Sequence, residues 1–159
     1  MFSTSTREKW LIYEHKGNRS SITDLADKIK AGINYVNTNP IFQSIPDKHF
    51  YIYSDAGGTG KKISAELSMQ FGLPCLDAYK VNKDIAIEQL QEEVRTGNFK
   101  VKKESIFADE ADKTVWARND NDELTRVIDD NTFHPDLLDA ILYSLRYVWI
   151  NYSNIKETE

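Results

Sequence analysis

An aspartate that closes an apolar run just before a glycine turn is a carboxylate well placed for chemistry. In this chain Asp55 follows Phe50-Tyr51-Ile52-Tyr53-Ser54 and precedes Ala56-Gly57-Gly58-Thr59-Gly60-Lys61-Lys62. Far downstream, His134-Pro135-Asp136-Leu137-Leu138-Asp139 adds two carboxylates three residues apart. On a helix that spacing puts them on adjacent positions of one face. If the fold brings Asp55 to Asp139 and Asp136, the group can hold divalent ions. Two such ions about 3.5–4 Å apart stabilise both the attacking and the leaving oxygen of a phosphodiester. All-oxygen donors suit the hard cations Mg²⁺ and Mn²⁺. His134 is a further candidate, as a ligand or as a hydrogen-bond donor to a scissile phosphate.

Each of these residues also has a simpler explanation. Asp before Gly commonly opens a turn by bonding to nearby backbone amides. Asp136, in a first helical turn, favours the helix dipole. His134 can serve as a cap or a surface side chain. Asp139 is harder to dismiss, because it lies among Leu137, Leu138, Ala140, Ile141 and Leu142, where a carboxylate needs a partner. The glycine turn is not a standard phosphate loop. Asp55 stands where that motif needs its first glycine, and Lys62 where it needs Ser or Thr for magnesium. A looser phosphate cradle of Gly57, Gly58, Gly60 and Lys61, in a nucleotide-binding α/β domain, is a third and weaker reading.

The elements that must position these groups follow from periodicity. Residues 10–14 read as a strand. Ser21 or Thr23 caps a helix with Ile22, Leu25, Ala26, Ile29 and Ile33 on one face, and Asn37-Thr38-Asn39-Pro40 breaks it. Residues 50–53 form a short buried strand, 61–71 a helix stopped by Gly72, and 74–79 the next strand. Residues 83–95 form a helix with Ile85, Ile87, Leu90 and Val94 as its apolar positions. This alternation implies a parallel strand pair with a crossover helix. Beyond it come a short strand at 99–101, a helical turn at 106–112, and strands at 114–118 and 123–128 joined by a hairpin-type loop. A polar break spans 129–132. Pro135 then fits the first position of a final helix, apolar at Leu138, Ile141, Leu142, Leu145, Val148 and Trp149.

Size and composition suit one α/β domain over residues 1–159, with its core at about 9–150 and flexible segments at 1–8 and 153–159. No apolar run approaches the roughly 18 residues of a membrane span, and the first residues lack a signal peptide's hydrophobic stretch. A lone cysteine, Cys75, excludes an internal disulfide. These features imply a soluble, intracellular protein. The net charge of −5 argues against non-specific coating of nucleic acid by the isolated chain. Local basic clusters remain, at Lys61, Lys62, Lys80 and Lys83 and at Lys100, Lys102 and Lys103. The first four are candidate DNA contacts; the plain alternative for both clusters is a solvated face.

Taken as a set, four segments resemble the nuclease domain of the phage terminase large subunit, the motor of DNA packaging. They are Tyr51 to Leu67 with its Asp55 turn, Ala78-Tyr79-Lys80 with Lys83-Asp84, Gln89-Leu90-Gln91 through Arg95-Thr96-Gly97, and His134 to Arg146. The resemblance covers about residues 9–150. It implies a ribonuclease H-like mixed sheet with flanking helices, and a Mg²⁺- or Mn²⁺-dependent endonuclease that cuts concatemeric double-stranded DNA. It also implies that Asp55 is the second acidic ligand and that Asp139, or else Asp136, is the last. The implied partners are an ATPase segment, a portal ring and a small terminase subunit, in the cytoplasm of a host cell. In the family a first catalytic aspartate precedes the strand placed here at 10–14. Residues 1–9 hold Glu8 and no aspartate, so the expected chain is N-terminally truncated, with an incomplete ligand set. A catalytically incomplete ribonuclease H-like module, used for DNA or protein contact in a packaging assembly, is the competing expectation.

Overall fold

In the computed structural model the described residues are 1–3, 6–17, 20–45, 47–129 and 133–152. They form an α/β protein with six helices and six short strands. The strands make three separate two-stranded ladders, two parallel and one antiparallel. The chain divides into two compact units, Tyr13–Ala78 and Met1–Ile12 together with the chain from Tyr79 onward. Each is described by itself. No helix among the described residues is long and apolar enough to cross a membrane.

In the Tyr13–Ala78 unit, α1 (Ile22–Thr38) starts with a reciprocal cap. Asp24 N donates to Ser21 Oγ at 3.1 Å, and Ser21 N donates to Asp24 Oδ2 at 3.0 Å. Two otherwise orphaned donors at the helix start are satisfied in this way. The periodic face read from the sequence is the packed one: Ala26 is fully buried with Leu67 and Leu73, and Ile22, Leu25, Ile29 and Ile33 pack against them. Asn39 ends α1 and caps α2 (Pro40–Gln43), accepting from Ile41 N through its side chain. β2 (Ile52–Ser54) pairs in parallel with β3 (Cys75–Asp77), with Ile52 opposite Cys75. α3 (Thr59–Phe71) is the crossover between them, as the alternation predicts. It ends on Gly72 in the left-handed region (φ 65°), a conformation that favours glycine.

In the second unit, β1 (Lys9–Trp10) pairs in parallel with β4 (Phe99–Lys100). The strand expected at 10–14 therefore shrinks to two residues. Leu11 N adds one more bond, to Lys100 O, and the ladder then stops. Its partner runs on into Lys102-Lys103-Glu104, which forms no strand, and an edge without a partner is not regular structure. Before β1, the Met1 ammonium donates to Trp10 O at 2.7 Å and Ser3 N to Glu8 O at 2.9 Å. The terminal segment 153–159 and residues 130–132 of the polar break lie outside the described residues.

α4 (Lys83–Arg95) has the bounds read from the sequence. Its packed face differs: Ala86, Ile87 and Leu90 are buried, while Ile85 and Val94 are about half exposed. Ile85 and Val94 are apolar but lie off the flanks of that face, a distinction hydropathy alone does not make. α5 (Ile106–Ala111), the hairpin of β5 (Trp116–Arg118) and β6 (Leu124–Ile128), and α6 (Asp136–Tyr152) complete the unit. The core gathers Ala86, Ile87, Leu90, Phe99, Phe107 and Ile128 around Leu138, Ile141, Leu142, Leu145 and Trp149 of α6. A buried ion pair fastens three of these elements. Lys9 Nζ lies 2.6 Å from Glu93 Oε1, and Trp149 Nε1 donates to the same oxygen at 2.7 Å.

Candidate metal-binding carboxylates

Asp55 follows β2 directly, at the carboxyl end of a parallel strand, where ligands bind in open α/β sheets. It is exposed. Its Oδ1 accepts from Gly57 N at 2.6 Å, so the carboxylate also closes the turn that follows it. Gly60 N then donates to Gly57 O at 2.9 Å and brings the first turn of α3 back against the strand end. The approach is so close that a Cβ on Gly60 would stand 1.8 Å from the Asp55 carbonyl oxygen. Gly58, with φ 51° and ψ −118°, takes a positive-φ conformation that favours glycine as α3 starts. Two serines lock the same corner: Ser54 Oγ and Ser64 Oγ lie 2.5 Å apart, and Ser64 Oγ donates to Gly60 O at 2.9 Å. Lys61 and Lys62 follow in the first turn of α3, both exposed.

The downstream carboxylates sit in the other unit. Asp136 and Asp139 both occupy the first turn of α6, Asp136 exposed and Asp139 partly buried. Pro135 does not take the first helical position. Its carbonyl accepts from Asp139 N at 3.1 Å, which makes it the residue before the helix. Proline has no side-chain acceptor for the free amides there, so the cap comes from elsewhere. Glu110 of α5, only 3% exposed, accepts from Leu137 N at 2.6 Å and Leu138 N at 3.1 Å through Oε1. A buried carboxylate on a helix start gains from both the hydrogen bonds and the dipole. The sequence reading missed Glu110. The available signal was its spacing, three residues after the buried Phe107 and so on the packed face of α5.

Asp139 Oδ1 is a buried atom without a hydrogen bond of good geometry, yet it lies 2.7 Å from Lys83 Nζ. The short distance identifies an ion pair, which is less directional than a hydrogen bond. Lys83 is the first residue of α4 and follows Asn82, whose φ of 57° turns the chain into the helix. Of the four lysines considered as DNA contacts, Lys83 is thus already engaged with a candidate ligand. Lys80 stands with Nζ 5.7 Å from the Tyr143 ring centroid. Arg146, buried on α6, donates to Tyr79 O at 2.6 Å and stacks on the Tyr79 ring. Burial pushes its guanidinium pKa below the usual arginine range, against the pull of Tyr79, Tyr143, Asp139 and Asp84. His134 is exposed, and its carbonyl accepts from Asp136 N at 3.0 Å.

The structure therefore places Asp136, Asp139 and His134 at one helix start, with Lys80 and Lys83 in the same unit, and Asp55, Lys61 and Lys62 at one turn of the other. Among the described residues of either unit, no group of three or more His, Cys, Asp or Glu side chains stands together as a metal cage. Within each unit the described side chains thus supply oxygen donors but no assembled cation site. Asp139 presents a buried oxygen that lacks a hydrogen bond and faces a positive charge, and Asp55 presents an exposed carboxylate at a strand end. Compared with protein-family models, curated proteins and solved structures, the chain matches none.

Proposed function

We propose that this chain is the nuclease portion of a viral genome-packaging terminase, a ribonuclease H-like, divalent-metal-dependent endonuclease acting on double-stranded DNA. One observation carries the reading. Asp55 stands at the end of a parallel strand, in a turn whose close packing at Gly60 fixes where the carboxylate begins, within a motif that resembles the terminase nuclease. Asp55 and Asp139, with Asp136 as a further donor, are the proposed ligands of Mg²⁺ or Mn²⁺. When bound, such ions supply a nucleophilic water at neutral pH and neutralise charge on the phosphate. The chain's own residues do the rest. The Gly57, Gly58, Gly60 turn aims Asp55. Glu110 fixes the start of α6 and with it Asp136 and Asp139. His134 is a candidate hydrogen-bond donor to the phosphate, and Lys61, Lys62 and Lys80 are candidate backbone contacts. The partners proposed by resemblance are an ATPase segment, a portal ring and a small terminase subunit, with the host cytoplasm as the setting.

A second reading is favoured by the Lys83–Asp139 ion pair, which occupies one proposed ligand with an internal cation. Under it the chain is a catalytically incomplete module that contacts DNA or protein within a packaging assembly. Nicking of supercoiled plasmid separates the two. The endonuclease reading expects nicking with Mn²⁺ or Mg²⁺ that stops in chelator and is lost in Asp55→Asn. Nicking undiminished by Asp55→Asn, or persisting in chelator, would overturn the assignment. An inert starting protein supports the incomplete module.

A further inference from the structure

The hairpin of β5 and β6 is packed on one side only. Trp116 pairs with Ile128, and both turn toward the core, where Ile128 is buried and Trp116 packs against the same cluster. Successive side chains on a strand point to opposite faces. The neighbours Val115, Ala117 and Val127 therefore turn outward. Val115 is 55% and Val127 65% exposed, and Ala117 is partly exposed. A two-stranded ladder is marginal in water, and valines gain nothing from facing solvent. Single exposed apolar residues are ordinary, but a row of them on one face of one ladder is a surface.

The charge flanking that surface has one sign. Residues 104–130 carry nine Asp and Glu against three Lys and Arg, an excess larger than the net charge of −5 of the whole chain. Asp112 lies before Val115, and Asp120, Asp122 and Glu123 lie between the strands; all four are exposed. Arg118 is already engaged within that loop, donating to Asp122 O at 2.6 Å and pairing with Asp122 Oδ1 at 3.3 Å. An apolar strip flanked by carboxylates repels DNA phosphates and anionic lipid. It also repels a second copy of itself. It attracts a segment that is apolar in the middle and basic at its ends.

We propose that the outer face of the β5–β6 hairpin docks a basic, apolar-centred segment of a partner protein. The proposal does not depend on any metal at Asp55 or Asp139. An extended segment suits the face, because its side chains alternate as those of the hairpin do. One apolar row then lies along Val115, Ala117 and Val127, as when a strand meets a sheet. Lysines or arginines at the segment's ends meet Asp112 and the loop at 120–123.

The probe is a fluorescein-labelled peptide, Lys-Lys-Val-Ser-Val-Ser-Val-Lys-Lys, titrated with the full chain at low salt and followed by fluorescence anisotropy. One control peptide replaces its lysines by glutamate, and another replaces its valines by serine. The probe should bind at least about tenfold more tightly than either control. Val115→Ser with Val127→Ser should weaken binding about tenfold, through lost apolar burial. Asp120→Asn with Glu123→Gln should weaken it about threefold, a loss that added salt erases. All four substitutions fall on exposed residues, and thermal melts check that the variants fold. Equal binding of the serine control, or binding that ignores both valines, would reveal charge attraction alone and overturn the docking face. No binding of the probe, Val127-dependent dimerisation in sedimentation, or Val127-dependent binding of duplex DNA would overturn it as well.

Discussion

Asp55 and Asp139 are held by different physics. The Asp55 corner is built from backbone: a glycine with no room for a Cβ, a second glycine with positive φ, an aspartate closing its own turn, and two serines. The Asp139 corner is built from charge at the rim of a core. A buried glutamate from α5 caps α6, a lysine at the start of α4 pairs with the aspartate, and Arg146 is buried one helical stretch further along. A backbone corner responds to volume and is nearly indifferent to salt. A charge corner tolerates changes of shape but responds to every lost partner. The two corners should therefore fail under different substitutions.

The sharpest break is expected at Glu110. Glu110→Ala leaves two amides at a buried helix start unsatisfied and removes the charge facing the dipole. It should cost about 3 kcal/mol of stability. Glu110→Gln keeps an acceptor oxygen and should cost about 1 kcal/mol. Urea unfolding checks both, and equal losses in the two variants would mean that packing, not capping, is Glu110's role. Next comes Gly60→Ala. Its methyl group meets the Asp55 carbonyl at 1.8 Å, so the turn must open, at about 2 kcal/mol. An Ala variant as stable as the starting protein would show that the turn is slack and cannot aim Asp55.

The aspartates themselves should matter little for folding. Asp55→Asn keeps an acceptor for Gly57 N and should change stability by less than about 0.5 kcal/mol while removing metal-dependent nicking. Asp139→Asn breaks a half-exposed ion pair and should cost about 0.2–1 kcal/mol, a loss that fades in high salt. The salt dependence is the comparison in miniature. It should be visible at Asp139 and absent at Asp55, and thermal melts at two ionic strengths decide it.

The smallest expected effect separates the units by pH. The Ser21 side chain and backbone hold the Asp24 carboxyl below the usual carboxylate range. In the other unit the Lys100 ammonium does the same for Glu8. In both cases the folded pKa is depressed. The contribution is thus full above the ordinary carboxylate pKa and is lost as pH falls through the depressed value. Asp24→Asn and Glu8→Gln should each melt below the starting protein near neutral pH and converge with it in acid. Salt should narrow the Glu8→Gln difference and leave the Asp24→Asn difference unchanged.

The sequence discloses local grammar better than partnership. The Ser21 cap, the face of α1, the Gly72 stop, the limits of α4 and the hairpin of β5 and β6 could all be read, because each is decided within a few residues by capping, φ preference or periodicity. The strand at 10–14 was overextended because strand length is set by the partner, and β4 supplies only two residues. Pro135 was placed one position too far into α6, because the acceptor that starts the helix is Glu110, 25 residues earlier in the chain. The Asp55 turn was visible as Asp and glycines, and its tight closure at Gly60 is a backbone fact that hydropathy does not encode. Asp139 was recognised as needing a partner. That the partner in the fold is Lys83 depends on the docking of α4 on α6, which no local pattern fixes.

The central proposal is that Asp55 and Asp139 are ligands of divalent metal. A crystal structure of the protein grown with Mn²⁺ and measured at the manganese absorption edge tests it most directly. The account predicts an anomalous peak within about 2.2 Å of carboxylate oxygens from both Asp55 and Asp139. No anomalous peak at either carboxylate, with Asp139 still on Lys83, would contradict it.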